Sequence, residues 1–161
     1  MSLSRFAKAA VQKNVAERGK WAESEVRKVL LEMSEKHMRF AFHRITDARS
    51  AGGKAPAQAA DFWWSYTDGK TTPHGLLEVK EVEHISRLPY KNLSPESYAR
   101  MRKRELAGAK VFVLVAHRTD VTVWRFLPLS DFGGPRPGGS WDLSYSPPVD
   151  LRNALLTLTK L

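Results

Sequence analysis

The chain has 161 residues, with 26 Lys or Arg against 17 Asp or Glu and a formal net charge of +9. This length predicts one domain, and a hydrophobic fraction of 42% supports a core, which excludes a wholly disordered basic tail. No apolar run approaches the roughly 20 residues of a membrane span or resembles a secretory signal, and the lack of cysteine excludes disulfides and thiolate chemistry. The charge predicts a polyanionic partner, with nucleic acid first and an anionic membrane second, and the alternative is a protein that is basic only for solubility. We expect no membrane partner and a cytoplasmic location.

Hydrophobic periodicity and turn residues divide the chain into eight regular elements. Apolar residues between positions 22 and 33 recur with helical spacing, whereas later apolar segments are short or alternate, which is typical of strands. Ser94 and Pro95 are a favourable N-cap and first residue of a helix, which ends at Gly108. The predicted elements are a helix at 17–37, strands at 38–45, 61–66 and 76–82, a helix at 94–106, strands at 110–117 and 121–127, and a helix at 150–160.

This order of elements predicts an α/β fold, with a mixed central β-sheet flanked by helices. The long loop at 46–59 contains Gly and Pro, and loops of this length in compact domains are often functional. A short edge strand is expected near 141–145. We expect a single domain over 1–161, divided into an N-terminal arm at 1–16, a core at 17–130 and a C-terminal extension at 131–161.

Acidic and basic residues on two neighbouring predicted strands form the sharpest chemical pattern. Alternate residues of a strand share a face, so Glu78 and Lys80 point the same way, at the end of an apolar strand where charge is costly to bury. Asp61 and Glu78 supply hard oxygen ligands suited to Mg²⁺ or Mn²⁺, and the Val79 backbone carbonyl is a candidate third. Lys80 would stabilise charge developing at such a centre. The alternative is a Glu–Lys pair on an exposed strand.

The pattern Asp61 followed by Glu78-Val79-Lys80 resembles the P-D…(D/E)-x-K signature of a nuclease superfamily, although Ala60 replaces the Pro. The segment Arg18-Gly19-Lys20-Trp21-Ala22-Glu23, at the start of a helix, resembles the Gly-x-x-x-Glu element of archaeal-type and phage Holliday junction resolvases. The order of elements over 17–130 is similar as well. The resemblance implies a restriction-endonuclease-like core.

The same resemblance implies a catalytic set of Glu23, Asp61, Glu78 and Lys80. Asp61 and Glu78 would bind Mg²⁺, for which Mn²⁺ can substitute, with Glu23 as an additional or water-mediated ligand. Helical periodicity alone leaves Glu25 as an alternative to Glu23, because the two lie at opposite edges of the apolar stripe. The Gly-x-x-x-Glu spacing favours Glu23.

The function implied by the resemblance is a Mg²⁺-dependent, structure-specific endodeoxyribonuclease that resolves four-way DNA junctions by paired symmetric nicks. Symmetric nicks favour a homodimer. The protein would act inside a bacterial or archaeal cell, and its gene would belong either to the cell or to a phage that infects it. Two alternatives remain open: another nuclease of the superfamily with a restriction or repair role, and a non-catalytic nucleic-acid-binding module.

Basic residues concentrate after the predicted catalytic strand. Residues 86–118 contain eight Lys or Arg against two Glu, which predicts contacts with DNA phosphates, although a solvated helix face is the alternative. The aromatic run Phe62-Trp63-Trp64 is interpreted as core and dimer contact rather than as a base-stacking platform. The candidate DNA-binding residues are Arg44, Arg49, Ser50, Lys54, Arg87, Lys91, Arg100, Lys103 and Arg104.

Overall fold

The structure is a computed structural model that describes residues 5–46 and 58–161, with side chains described from residue 20 onward. These residues form two longer helices, one short helix and seven strands. Short 3₁₀ turns follow β4, β6 and α3. The elements are α1 (Arg5–Lys36), β1 (Phe40–Arg44), β2 (Phe62–Tyr66), β3 (His74–Val82), β4 (Arg87–Pro89), α2 (Pro95–Leu106), β5 (Lys110–Arg118), β6 (Thr122–Pro128), β7 (Ser140–Asp142) and α3 (Leu151–Leu156).

Five strands form a central sheet in the order β1-β2-β3-β5-β6. The pairs β1–β2, β2–β3 and β5–β6 are antiparallel, whereas β3 and β5 are parallel. Parallel neighbours require a crossover connection, and the segment between them contains α2. The predicted α/β class, with a mixed sheet flanked by helices, is confirmed.

The two faces of the sheet are covered by different elements. Alternate residues of β2, Phe62 and Trp64, are fully buried in a cluster that includes apolar residues of α1 and α3. On the opposite face, Leu76 of β3 belongs to a second cluster with Met101 of α2. Glu78 is two residues beyond Leu76, so it also lies on the face that α2 covers.

Two predicted elements differ most from the structure, and the strand β4 was not predicted. The helix predicted at 17–37 begins at Arg5 and runs without interruption to Lys36. The predicted edge strand at 141–145 is Ser140–Asp142, and it pairs with Arg87–Pro89 in a separate two-stranded sheet. Three-residue strands have too few alternating positions to give a sequence signal, and this pair joins segments about fifty residues apart. Within the described residues, no helix is long and apolar enough to cross a membrane.

Candidate active site

Asp61, Glu78 and Lys80 meet where β2 begins. The last register pair between β2 and β3 joins Phe62 and Leu77, so the next β3 amide on that side has no strand partner. That amide belongs to Val79, and its N–H donates a 2.7 Å hydrogen bond to Asp61 Oδ2. Asp61 is thereby fixed beside the centre of β3.

Glu78 and Lys80 form an ion pair on the same face. Glu78 is only 5% exposed, although it carries a carboxylate, and the Lys80 ammonium contacts Glu78 Oε1. A buried carboxylate without a cationic partner would be strongly disfavoured. The Lys80 ammonium therefore stabilises the ionised form of Glu78 and opposes the rise that burial causes in the pKa of Glu78.

Burial and mutual repulsion set the protonation of this cluster. Burial and the Glu78 carboxylate raise the pKa of Asp61 to about 8, against opposing effects of Lys80 and of the Val79 hydrogen bond. Burial also raises the pKa of Glu78. Burial acts to lower the pKa of Lys80, but the carboxylates of Glu78 and Asp61 outweigh it and raise that pKa. Lys80 is thus an ammonium at neutral pH, which donates hydrogen bonds and does not accept a proton.

The structure brings Glu23, and not Glu25, to this cluster. Glu23 lies close enough to raise the pKa values of both Asp61 and Glu78. Its Oε2 accepts a 2.8 Å hydrogen bond from Arg44 Nη2 at the end of β1. Glu25 instead pairs with Lys28 at 2.6 Å on α1. Arg44, predicted to contact DNA, is thus a partner of Glu23, and no sequence spacing indicated this pairing.

The oxygen donors around Asp61 suit a small, hard cation. The N–H and C=O of one residue point to the same side of an extended strand, so the Val79 carbonyl also faces Asp61, beyond the end of the β2–β3 ladder. Among the residues that the structure describes, no three His, Cys, Asp or Glu side chains are grouped so as to hold a metal ion. Two carboxylates and a carbonyl nevertheless fit Mg²⁺, which is usually bound by one or two carboxylates together with water and phosphate oxygens.

The raised pKa of Asp61 predicts a specific dependence of stability on pH. The unfolded chain releases this proton near pH 4 and the folded chain near pH 8. Without divalent cations, Asp61 therefore makes the free energy of unfolding fall as pH rises between these values, by up to about 1.4 kcal/mol per pH unit. Urea unfolding in EDTA across this range measures the effect, and Asp61→Asn should flatten the profile. Saturating Mg²⁺ should stabilise the protein more at pH 8 than at pH 6; equal stabilisation would contradict the assignment.

The predicted DNA-binding residues occupy different places. Arg100, Lys103 and Arg104 are exposed on α2. Arg87 on β4 and Lys91 in the turn after it are exposed as well. The other three candidates lie outside the described residues: Arg49, Ser50 and Lys54.

Comparison with known proteins finds a solved structure with a similar fold. The sequence matches no protein-family model and no curated protein. A solved structure of a Holliday junction resolvase from the archaeal hyperthermophile Archaeoglobus fulgidus is similar, with a TM-score of 0.51 and 22% sequence identity over 79% of this chain and 93% of that chain. The chain shares the fold of that solved structure. In that fold, the candidate active site lies where β2 and β3 separate, on the face that α2 covers.

Proposed function

We propose that this chain is a Mg²⁺-dependent endodeoxyribonuclease that resolves four-way DNA junctions by paired symmetric nicks. The observation that carries the proposal is the cluster of Asp61, Glu78 and Lys80, held on one face of β2 and β3 by the Val79 hydrogen bond and the Glu78–Lys80 ion pair. The similarity to the fold of an archaeal resolvase supports the same reaction class. Cutting and holding DNA would both belong to the single domain formed by residues 1–161.

Each residue of the cluster has a distinct role in this proposal. Asp61 Oδ1, Glu78 and the Val79 carbonyl would hold Mg²⁺, while Val79 N–H keeps Asp61 Oδ2 in place. When bound, Mg²⁺ supplies a Lewis acid that lowers the pKa of water and offsets charge on the phosphate. Lys80 donates hydrogen bonds to the attacking oxygen or to a phosphate oxygen. Water attacks phosphorus in line and releases a proton to solvent, the bond to the 3′ oxygen breaks, and that oxygen takes up a proton from solvent, which leaves 5′-phosphate and 3′-hydroxyl ends.

Glu23 would act from the edge of this cluster. Its carboxylate lies near enough to influence Asp61 and Glu78, but it is hydrogen-bonded to Arg44. It would therefore reach Mg²⁺ through a water molecule. Arg44 limits the negative charge that three neighbouring carboxylates would otherwise place together.

The substrate and assembly are part of the same proposal. A four-way junction needs two symmetric cuts, which a two-fold homodimer with paired sites provides. The net charge of +9 favours the phosphate backbone of branched DNA as the partner. The reaction would take place in the cytoplasm of a bacterial or archaeal cell, with the gene carried by the cell or by a phage.

Cleavage of a four-way junction and of a linear duplex of the same sequence, each in a Mg²⁺ titration, tests the function. We expect the junction to be nicked at least about a hundredfold faster, no cutting in EDTA, and restored cutting with Mn²⁺. Equal rates on the two DNAs would contradict junction specificity and favour a restriction or repair nuclease. Binding without cutting at any metal concentration would favour a binding module.

A further inference from the structure

A groove crosses the α2 face of the sheet beside the candidate active site. Its volume is about 900 Å³, and it is lined by Trp63 of β2 and Leu76 of β3. Trp63 is two residues beyond Asp61, and Leu76 is two residues before Glu78, so each pair shares a face with its members about 7 Å apart. The groove therefore lies next to the candidate metal ligands, on the same face of the sheet.

One wall of the groove is basic. Arg100, Lys103, Arg104 and Ala107 have the spacing i, i+3, i+4 and i+7, which places them on one face of α2, and all four line the groove. The three cationic side chains are exposed, and none has an ion-pair partner in residues 20–46 and 58–161. No acidic residue is among the described residues that line the groove. This wall is complementary to a polyanion.

An aromatic pair lies on the opposite side of the groove. His43 of β1 and Trp63 of β2 are cross-strand partners, and their rings stack with centroids 5.1 Å apart and planes 24° apart. His43 is exposed and Trp63 is partly exposed, whereas Phe62 and Trp64 are fully buried. The prediction that this aromatic run is core holds for Phe62 and Trp64. Trp63 instead faces the groove.

We propose that the groove holds an unstacked nucleotide of the DNA strand next to the phosphate that is cut. Its base would stack on the Trp63–His43 pair, and its phosphates would contact the basic residues Arg100, Lys103 and Arg104. Aromatic side chains combined with a positively charged groove are the arrangement by which proteins bind single-stranded nucleic acid. The inference rests on the proposed function, because it identifies how the same site takes its DNA.

This groove also gives a physical reason for preferring branched DNA. Unstacking a base from a continuous duplex costs a few kcal/mol, and the cost is least where the base is unpaired or mismatched. A branch point interrupts the continuous stack, so a nucleotide there enters the groove at a lower cost. Selection of DNA shape would follow without any contact to base edges.

Binding of two DNA probes in EDTA tests the proposal. One probe is a duplex with a single extrahelical thymidine, and the other has an abasic residue at that position, so that only the base differs. Fluorescence anisotropy should show that the wild-type protein binds the thymidine probe about tenfold more tightly. Trp63→Leu should bind both probes equally, and His43→Ala, at an exposed position, should reduce the ratio severalfold. Because EDTA prevents cutting, these results do not depend on whether the chain is a nuclease.

Two arginines of α2 provide a matched pair for the phosphate contacts. Arg104→Gln should weaken binding of both probes and reduce the salt dependence of log K by about one. Arg102 is two residues away, on the other side of the helix, and pairs with Glu105. Arg102→Gln should leave affinity and salt dependence near those of the wild type.

Three results would overturn the proposal. The first is equal binding of both probes by the wild type, and the second is an undiminished preference for the thymidine probe in both Trp63→Leu and His43→Ala. The third is a change from dimer to monomer in sedimentation of Trp63→Leu, which would mean that a second copy of the chain covers the groove. Circular dichroism melts of each variant verify that the fold is retained.

Discussion

Asp61→Asn should reduce DNA cutting at least about a thousandfold while DNA binding persists. The substitution keeps the size of the side chain but removes the charge with which Asp61 would hold Mg²⁺, and it leaves Val79 N–H with an oxygen acceptor. Loss of a metal-dependent interaction worth several kcal/mol in the transition state corresponds to this factor. Single-turnover cleavage of a four-way junction in Mg²⁺ measures the loss, and anisotropy in EDTA measures the binding.

Glu25→Gln is the matched control for Asp61→Asn. It also removes one carboxylate charge, but Glu25 pairs with Lys28 away from the cluster. We expect Glu25→Gln to cut within about twofold of the wild type. Cutting by Asp61→Asn near the wild-type rate would refute the site, because the other carboxylates cannot replace a ligand at that position.

Gly75→Ala should destabilise the protein by about 3 kcal/mol or more. Gly75 is the first β3 residue in the parallel pairing with β5, and its partner there is Lys110. A Cβ atom at this position would lie 1.6 Å from the Lys110 carbonyl oxygen, so a backbone segment would have to move. Overpacking against side chains typically costs 1–3 kcal/mol, and a backbone neighbour yields less readily than a side chain. Urea unfolding at pH 6 measures the loss.

Gly133→Ala is the corresponding control for Gly75→Ala. Apart from its two chain neighbours, no described residue has an atom within 4 Å of a Cβ at Gly133, and the φ of Gly133 is not positive. Its stability should match or slightly exceed that of the wild type, because alanine restricts the unfolded chain. Equal stability of Gly75→Ala and Gly133→Ala would show that β3 and β5 do not approach as closely as the structure has them.

Much of the fold could be predicted because its elements have strong local signals. The helix after Ser94 has start signals in Ser94 and Pro95 and a stop signal in Gly108, and its predicted bounds agree with Pro95–Leu106. Residues 110–117 are an apolar run of strand type, and they form most of β5. The pairing of β4 with β7 could not be predicted, because it depends on contacts between distant segments that bury Leu88 and Trp141.

The candidate site could be predicted in part. Strand alternation already places Glu78 and Lys80 on one face, and the structure has them there. Periodicity could not choose between Glu23 and Glu25, since the choice depends on which side of α1 faces β3 and Arg44 at the end of β1. Periodicity also could not indicate that Trp63 faces the groove, because a run of three aromatic residues is typical of buried core positions.

The candidate metal ligands and the basic residues of the groove lie on different elements, and this separation has an evolutionary consequence. Asp61, Glu78 and Lys80 all belong to one hairpin, within residues 61–80, whereas the basic residues that line the groove belong to the next helix. Exposed positions on that helix accept substitution with little effect on stability. Under the proposed function, natural variation at Arg100, Lys103 and Arg104 would change which DNA shapes are held and leave Asp61, Glu78 and Lys80 unaltered, so that such a chain would acquire new substrates without changes at the proposed site of cutting.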